Sequence, residues 1–146
     1  MKKIATLAGA AVGTASLLVG PAPTAYADPY WKKSKKCEQK GGDGRVVPTR
    51  FGDGELGWNH FSGKHGIKKC KVVNGPLDGK PDKVSGARLE YRGHAVNGGR
   101  QVKIAVVVQC AQRTADRRYS AGTGQKIGVI TAYCRGVNKC PNWINE

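Results

Sequence analysis

Acidic side chains are scarce in this chain: ten Asp and Glu stand against twenty-five Lys and Arg, for a formal charge of +15. Paired carboxylates are therefore hard to assemble, and no G-x-S-x-G occurs, so a serine hydrolase is disfavoured. Also lacking is any apolar run suited to a membrane span. The one candidate, Ile4 to Val19, is short and diluted by Ala, Gly and Thr. No Cys-x-x-Cys pair is present and the histidines do not complete a finger pattern, which excludes a zinc finger. The acids at Asp43, Asp53 and Glu55 lack the spacing of an EF-hand loop.

The short apolar run has a different meaning. Lys2 and Lys3 precede it, Gly20-Pro21 breaks it, and Ala25-Tyr26-Ala27 comes after. This is the order of a secretory signal peptide cleaved after Ala27. The expected organisation is a leader over 1–27, a basic N-terminal arm over 28–45 and a single domain over 46–146. All five cysteines lie beyond the leader, as expected of a secreted, extracellular protein in an oxidising compartment. An odd number leaves at least one unpaired. Spacing suits a local staple between Cys134 and Cys140 and a longer one between Cys37 and Cys70, although spacing alone does not set connectivity. The remaining charge prepares the domain to meet an anionic partner.

Along the chain, the arm Tyr30-Trp31-Lys32-Lys33-Ser34-Lys35-Lys36-Cys37 interleaves aromatics with lysines, a composition that tracks a phosphate backbone or simply stays solvated. Gly41 to Gly44 marks a turn, and Arg45 to Arg50 a short extended piece. Gly52-Asp53-Gly54-Glu55-Leu56-Gly57 spells G-x-G-x-x-G. No apolar strand precedes it and two acids sit where a pyrophosphate would approach, so it is a turn and not a dinucleotide site. Gly57 to Lys69 suits a short helix, and Asn74 to Asp82 a loop. From Ala87 to Ala95 the period becomes two, with Leu89 and Tyr91 alternating with Arg88, Glu90, Arg92 and His94. This predicts a half-buried strand with a cationic outer face. Val102 to Val108 is the most apolar stretch and is expected to be the central strand. A long connection, Ala111 to Gln125, leads to a last strand, Lys126 to Cys134, on which Ile127, Val129, Thr131 and Tyr133 share a face. Trp143 in the tail is expected to pack on the core.

Two of the three histidines fall in Trp58-Asn59-His60-Phe61-Ser62-Gly63-Lys64-His65-Gly66. Imidazole exchanges protons near neutral pH, and a neighbouring lysine holds an anion. On an unbroken helix His60 and Lys64 lie about 40° apart and His60 and His65 about 140° apart. Either one histidine acts with Lys64, or the helix ends near Gly63 and His65 turns back toward His60.

These segments, with the closing Ile130-Thr131-Ala132-Tyr133, resemble the ribonuclease toxin domains of the barnase, EndoU, colicin and RelE-like superfamily. The resemblance implies an α+β fold in which short N-terminal helical elements pack on a twisted antiparallel sheet of three to four strands, here stabilised by disulfides. It implies a monomer that cleaves RNA with no cofactor and no metal, not inserted in a membrane, with RNA and an immunity or inhibitor protein as partners. His60 or His65 would then be the general acid-base group, Lys64 the phosphate-stabilising cation, and Thr131 and Tyr133 the groups that position the phosphate. Arg88, Arg92, Arg118 and Lys126 would bind substrate. The competing reading is a secreted cationic binding or inhibitor protein without catalysis.

Overall fold

The computed structural model describes residues 31–146. The expected leader lies outside the described residues. The fold is α+β: two helices accompany a two-stranded and a four-stranded antiparallel sheet. Strands β1 (Lys32–Lys40) and β2 (Val46–Gly52) form the small sheet. Helices α1 (Trp58–Lys64) and α2 (Cys70–Leu77) come next. The large sheet has the order β3 (Lys83–Ser85), β4 (Arg88–Asn97), β5 (Arg100–Gln109) and β6 (Gly128–Cys134), and a short 3-10 turn over Asn142–Asn145 ends the chain.

The alternation in β4 does what its period predicts: Leu89 and Tyr91 are buried while Arg88 and Arg92 are exposed. β5 lies between β4 and β6, and every residue from Ile104 to Gln109 is buried, as a near-continuous apolar run requires. Leu89, Tyr91, Ile104, Val106 and Val108 meet Val72, Val73 and Leu77 of α2 and Phe61 of α1 in the main core. Trp143 packs against that cluster, and its neighbour Ile144 is buried within it. A second, smaller core gathers Trp31, Leu56, Tyr119, Ala121 and Ile127.

Three expectations are corrected. The basic arm is strand β1, paired with β2 from Lys32↔Gly52 to Lys40↔Val46. Its lysines project to solvent, while buried Trp31 packs edge-on against Tyr119. The helix expected through Lys69 stops at Lys64, and a second helix takes in Asn74 to Leu77, part of the stretch that read as loop. Pro76 sits in the last turn of α2, where Val72, Val73 and Leu77 are buried in the core, and this burial outweighs poor helix propensity. Finally, β6 does not present Ile127, Val129, Thr131 and Tyr133 on one face. A bulge between the pairs Val107↔Thr131 and Val108↔Val129 resets the alternation. Val129 joins the main core with Ala132 and Cys134, Ile127 belongs to the second core, and Ile130 packs against that second core.

Cys37 is bonded to Cys70 and Cys134 to Cys140, with Cys110 free. The first bond ties β1 to α2; the second ties the end of β6 to the tail. Each such cross-link is worth about 2 to 4 kcal/mol. Between the sheets, Arg50 is almost fully buried without a carboxylate partner among the described residues. Its guanidinium donates to the carbonyls of Lys33 (2.7 Å) and Lys126 (2.8 and 3.0 Å) and to Gln125 Oε1 (3.3 Å). Burial pulls its pKa below the ordinary arginine value. Carbonyl dipoles thus hold β1, β2 and the entry to β6 on one cation. No helix among the described residues is long and apolar enough to cross a membrane.

Candidate functional site

Helix α1 is fixed to β6 at its start, where the Gly57 N–H donates to Ile130 O at 2.8 Å. Phe61, fully buried, anchors the helix to the core with Trp58 edge-on against it at 5.5 Å. His60 therefore projects from a helix held at both its start and its underside. The helix ends one residue before His65, whose N–H still bonds Phe61 O as the C-cap. The tail clamps the segment just beyond α1: Cys140 N–H donates to His65 O (2.9 Å), and Asn145 reaches both Gly66 O (2.9 Å) and Lys68 N–H (2.8 Å).

This break is the second of the two alternatives open in the sequence. It brings the rings of His60 and His65 to 5.5 Å between centroids, nearly perpendicular at 83°. The Tyr133 ring lies 6.0 Å from His65. Each imidazole is held through Nδ1 by a main-chain oxygen: His60 by Gly54 O at 2.9 Å, His65 by Asn138 O at 3.3 Å. A carbonyl accepts and cannot donate, so Nδ1 carries hydrogen in both rings and Nε2 is the atom left to exchange a proton.

Burial pushes the His65 pKa below the ordinary histidine value, and the charges of His60 and Lys64 push the same way, against the Asn138 hydrogen bond that raises it. A neutral His65 is the form these forces favour.

The strand register extends the site across the sheet. Arg92, Ala105 and Tyr133 are in one row of β4, β5 and β6; Glu90, Val107 and Thr131 are in the next. Residues two strands apart in a row are separated by about 10 Å, with only the small Ala105 between Arg92 and Tyr133. Glu90 bonds Arg92 Nε at 2.9 Å, and Asp82 accepts from the Arg92 main-chain N–H at 2.7 Å. The Arg92 guanidinium is held above its ordinary range by the hydrogen bond and charge of Glu90 first, with Asp82 and Tyr133 adding. The Thr131 hydroxyl is buried with no partner among the described residues.

Of the residues singled out in the sequence, His60, Lys64, His65, Arg92, Thr131 and Tyr133 belong to this region. Arg88 and Arg118 line a cavity further along the same sheet. Lys126 is placed elsewhere, its ammonium 3.4 Å from Cys110 Sγ in a cleft shared with Lys35 and Asp43. Sequence reasoning gave Glu90 no role, although the period-two pattern put it on the face of Arg92. The Gly54 and Asn138 carbonyls that fix both rings carry no side-chain signal. No family model and no curated protein sequence matches the chain.

Proposed function

We propose that the chain is a ribonuclease of the toxin-like kind suggested by its resemblance, cleaving single-stranded RNA without a metal. The observation that carries this reading is the His60 and His65 pair, 5.5 Å apart, with Tyr133 6.0 Å from His65. His65 Nε2 takes the proton of a ribose 2′-hydroxyl as the oxygen bonds the adjacent phosphorus. The bond from phosphorus to the 5′-oxygen breaks, and His60 Nε2 gives its proton to that oxygen. The products are a 2′,3′-cyclic phosphate and a 5′-hydroxyl. Arg92 and Lys64 offset the charge on the phosphoryl oxygens, and the Tyr133 hydroxyl donates a hydrogen bond to them. The leader pattern and the two disulfides support an exported protein.

The test is incubation of the purified protein with RNA and with DNA in excess EDTA. RNA is cut to cyclic-phosphate ends and DNA, lacking the 2′-hydroxyl, stays intact. Tyr133→Phe lowers the rate by about 10²-fold. Salt-sensitive binding of both polymers without cleavage would replace this reading by the cationic binding protein.

The pH dependence comes from the same pair. With the His65 pKa depressed, the acidic limb of kcat/KM lies below the ordinary histidine midpoint of about 6.5. Between about 6.5 and the depressed value the folded state binds fewer protons at His65 than the unfolded state. Stability is therefore steady above about 6.5 and declines as pH falls through that window. A pH–rate profile and melts across the same range check both; an acidic limb above 6.5 contradicts the assignment of His65 as the base.

A further inference from the structure

A cavity of about 530 Å³ opens at the end of the sheet face beyond Thr131. Gln109 and Arg88, paired across β5 and β4, stand at its edge. They lie four residues along β5 from the row of Ala105 and Tyr133, about 13 Å, a separation of about two nucleotides from the proposed cleavage site. Leu56 and Ile130 supply apolar surface, and Glu55 and Arg118 are at its rim. Glu55 receives Arg118 (2.7 Å) and the Tyr119 hydroxyl (3.1 Å) on the same oxygen, Oε2, which leaves Oε1 as an acceptor. On the cavity wall the exposed Arg88 guanidinium is uncommitted, and Arg118 Nε is buried with no partner among the described residues.

An apolar surface edged by a carboxylate acceptor and guanidinium donors complements a ring with apolar faces and a hydrogen-bonding edge. We infer that this cavity is a subsite for a single unpaired nucleobase, the base of a nucleotide one or two along the chain from the phosphate held by the histidine pair. The inference deepens the ribonuclease reading and rests on it for the identity of the polymer. Unpaired bases are the part of RNA that offers such an edge to a protein, and arginine forks and carboxylates are groups that read it. Closeness to Tyr119 also gives the cavity a rigid wall, since that phenol is fixed by Asp53 (2.7 Å) as well as Glu55.

The experiment titrates the purified protein with the four nucleoside 3′-monophosphates and, separately, with ribose 5-phosphate, tracking resonances by NMR. Variants are Arg88→Ala and Ala115→Trp; Ala115 is an exposed residue on the cavity wall, so the indole fills the space without entering the core. At least one nucleotide is expected to shift the Gln109 side-chain amide and the Leu56 and Ile130 methyls. Each variant weakens its binding about tenfold and leaves ribose 5-phosphate binding unchanged. Nucleotides that shift only His60, His65 and Tyr133, with Ala115→Trp without effect, overturn the subsite and leave the ribonuclease reading standing. Base binding in the cavity by a protein that cleaves no RNA keeps the subsite and removes the ribonuclease reading. Absence of any nucleotide binding overturns the subsite.

Discussion

His65→Ala is expected to lower RNA cleavage by about 10² to 10⁴-fold while leaving the protein folded. The ring is removed, but the main-chain bonds that organise the segment, Phe61 O to His65 N–H and His65 O to Cys140 N–H, do not involve it. What the fold loses is one long hydrogen bond to Asn138 O, about 1 kcal/mol, and the ring contacts with His60 and Tyr133. The effect should fall on kcat more than on KM, because a proton acceptor matters most in the transition state. His60→Ala should cost a similar factor, and the double variant little more than either single one, since acid and base serve the same bond exchange. Matched melting curves with a kinetic comparison on a defined oligonucleotide test this. A His65→Ala protein with more than half the native rate would mean that His65 is not the base.

Much of the large sheet was legible from periodicity. β4 alternates, β5 is continuously apolar, and both patterns report burial that depends on the strand alone. Strand β1 was hidden because Lys32–Lys40 has one buried position, Cys37; its pairing comes from β2, the bond to Cys70 and Arg50, none of which is local. The α2 helix was hidden by Gly75 and Pro76, whose unfavourable propensity is overridden by tertiary burial. The bulge at Ile130 left no mark in a strand of good strand formers, yet it alone decides that Val129 faces the core while Thr131 and Tyr133 face the site. The histidines were visible as residue types, and helical geometry narrowed them to two arrangements. Choosing between these needed the tail, since Cys140 and Asn145, more than seventy residues away, hold the turn after α1. Residue chemistry is local and readable; convergence is a property of the topology.

Gly128→Ala should destabilise the protein by about 3 to 5 kcal/mol, for reasons that lie at the same junction of sheets. Gly128 opens β6 with φ +83°, and a Cβ there would stand 2.0 Å from Pro48 O and 3.0 Å from Pro48 C. Left-handed backbone costs a side chain about 1 to 2 kcal/mol, and the remainder is overlap with main chain that no rotamer relieves. To make room, β2 must move away from β6. That movement strains the Arg50 bonds to Lys126 O and the Gly57 bond to Ile130 O together, so α1 shifts relative to Tyr133. Activity should therefore fall even in the fraction that stays folded. Gly124→Ala separates the two contributions: its φ is +74°, with nothing within 4 Å of the added carbon, so only the conformational cost of about 1 to 2 kcal/mol applies. Chemical denaturation of both variants measures the difference. Equal losses for Gly128→Ala and Gly124→Ala would show that β2 and β6 separate freely, and the histidine pair would then have no rigid frame to set its distance from Tyr133.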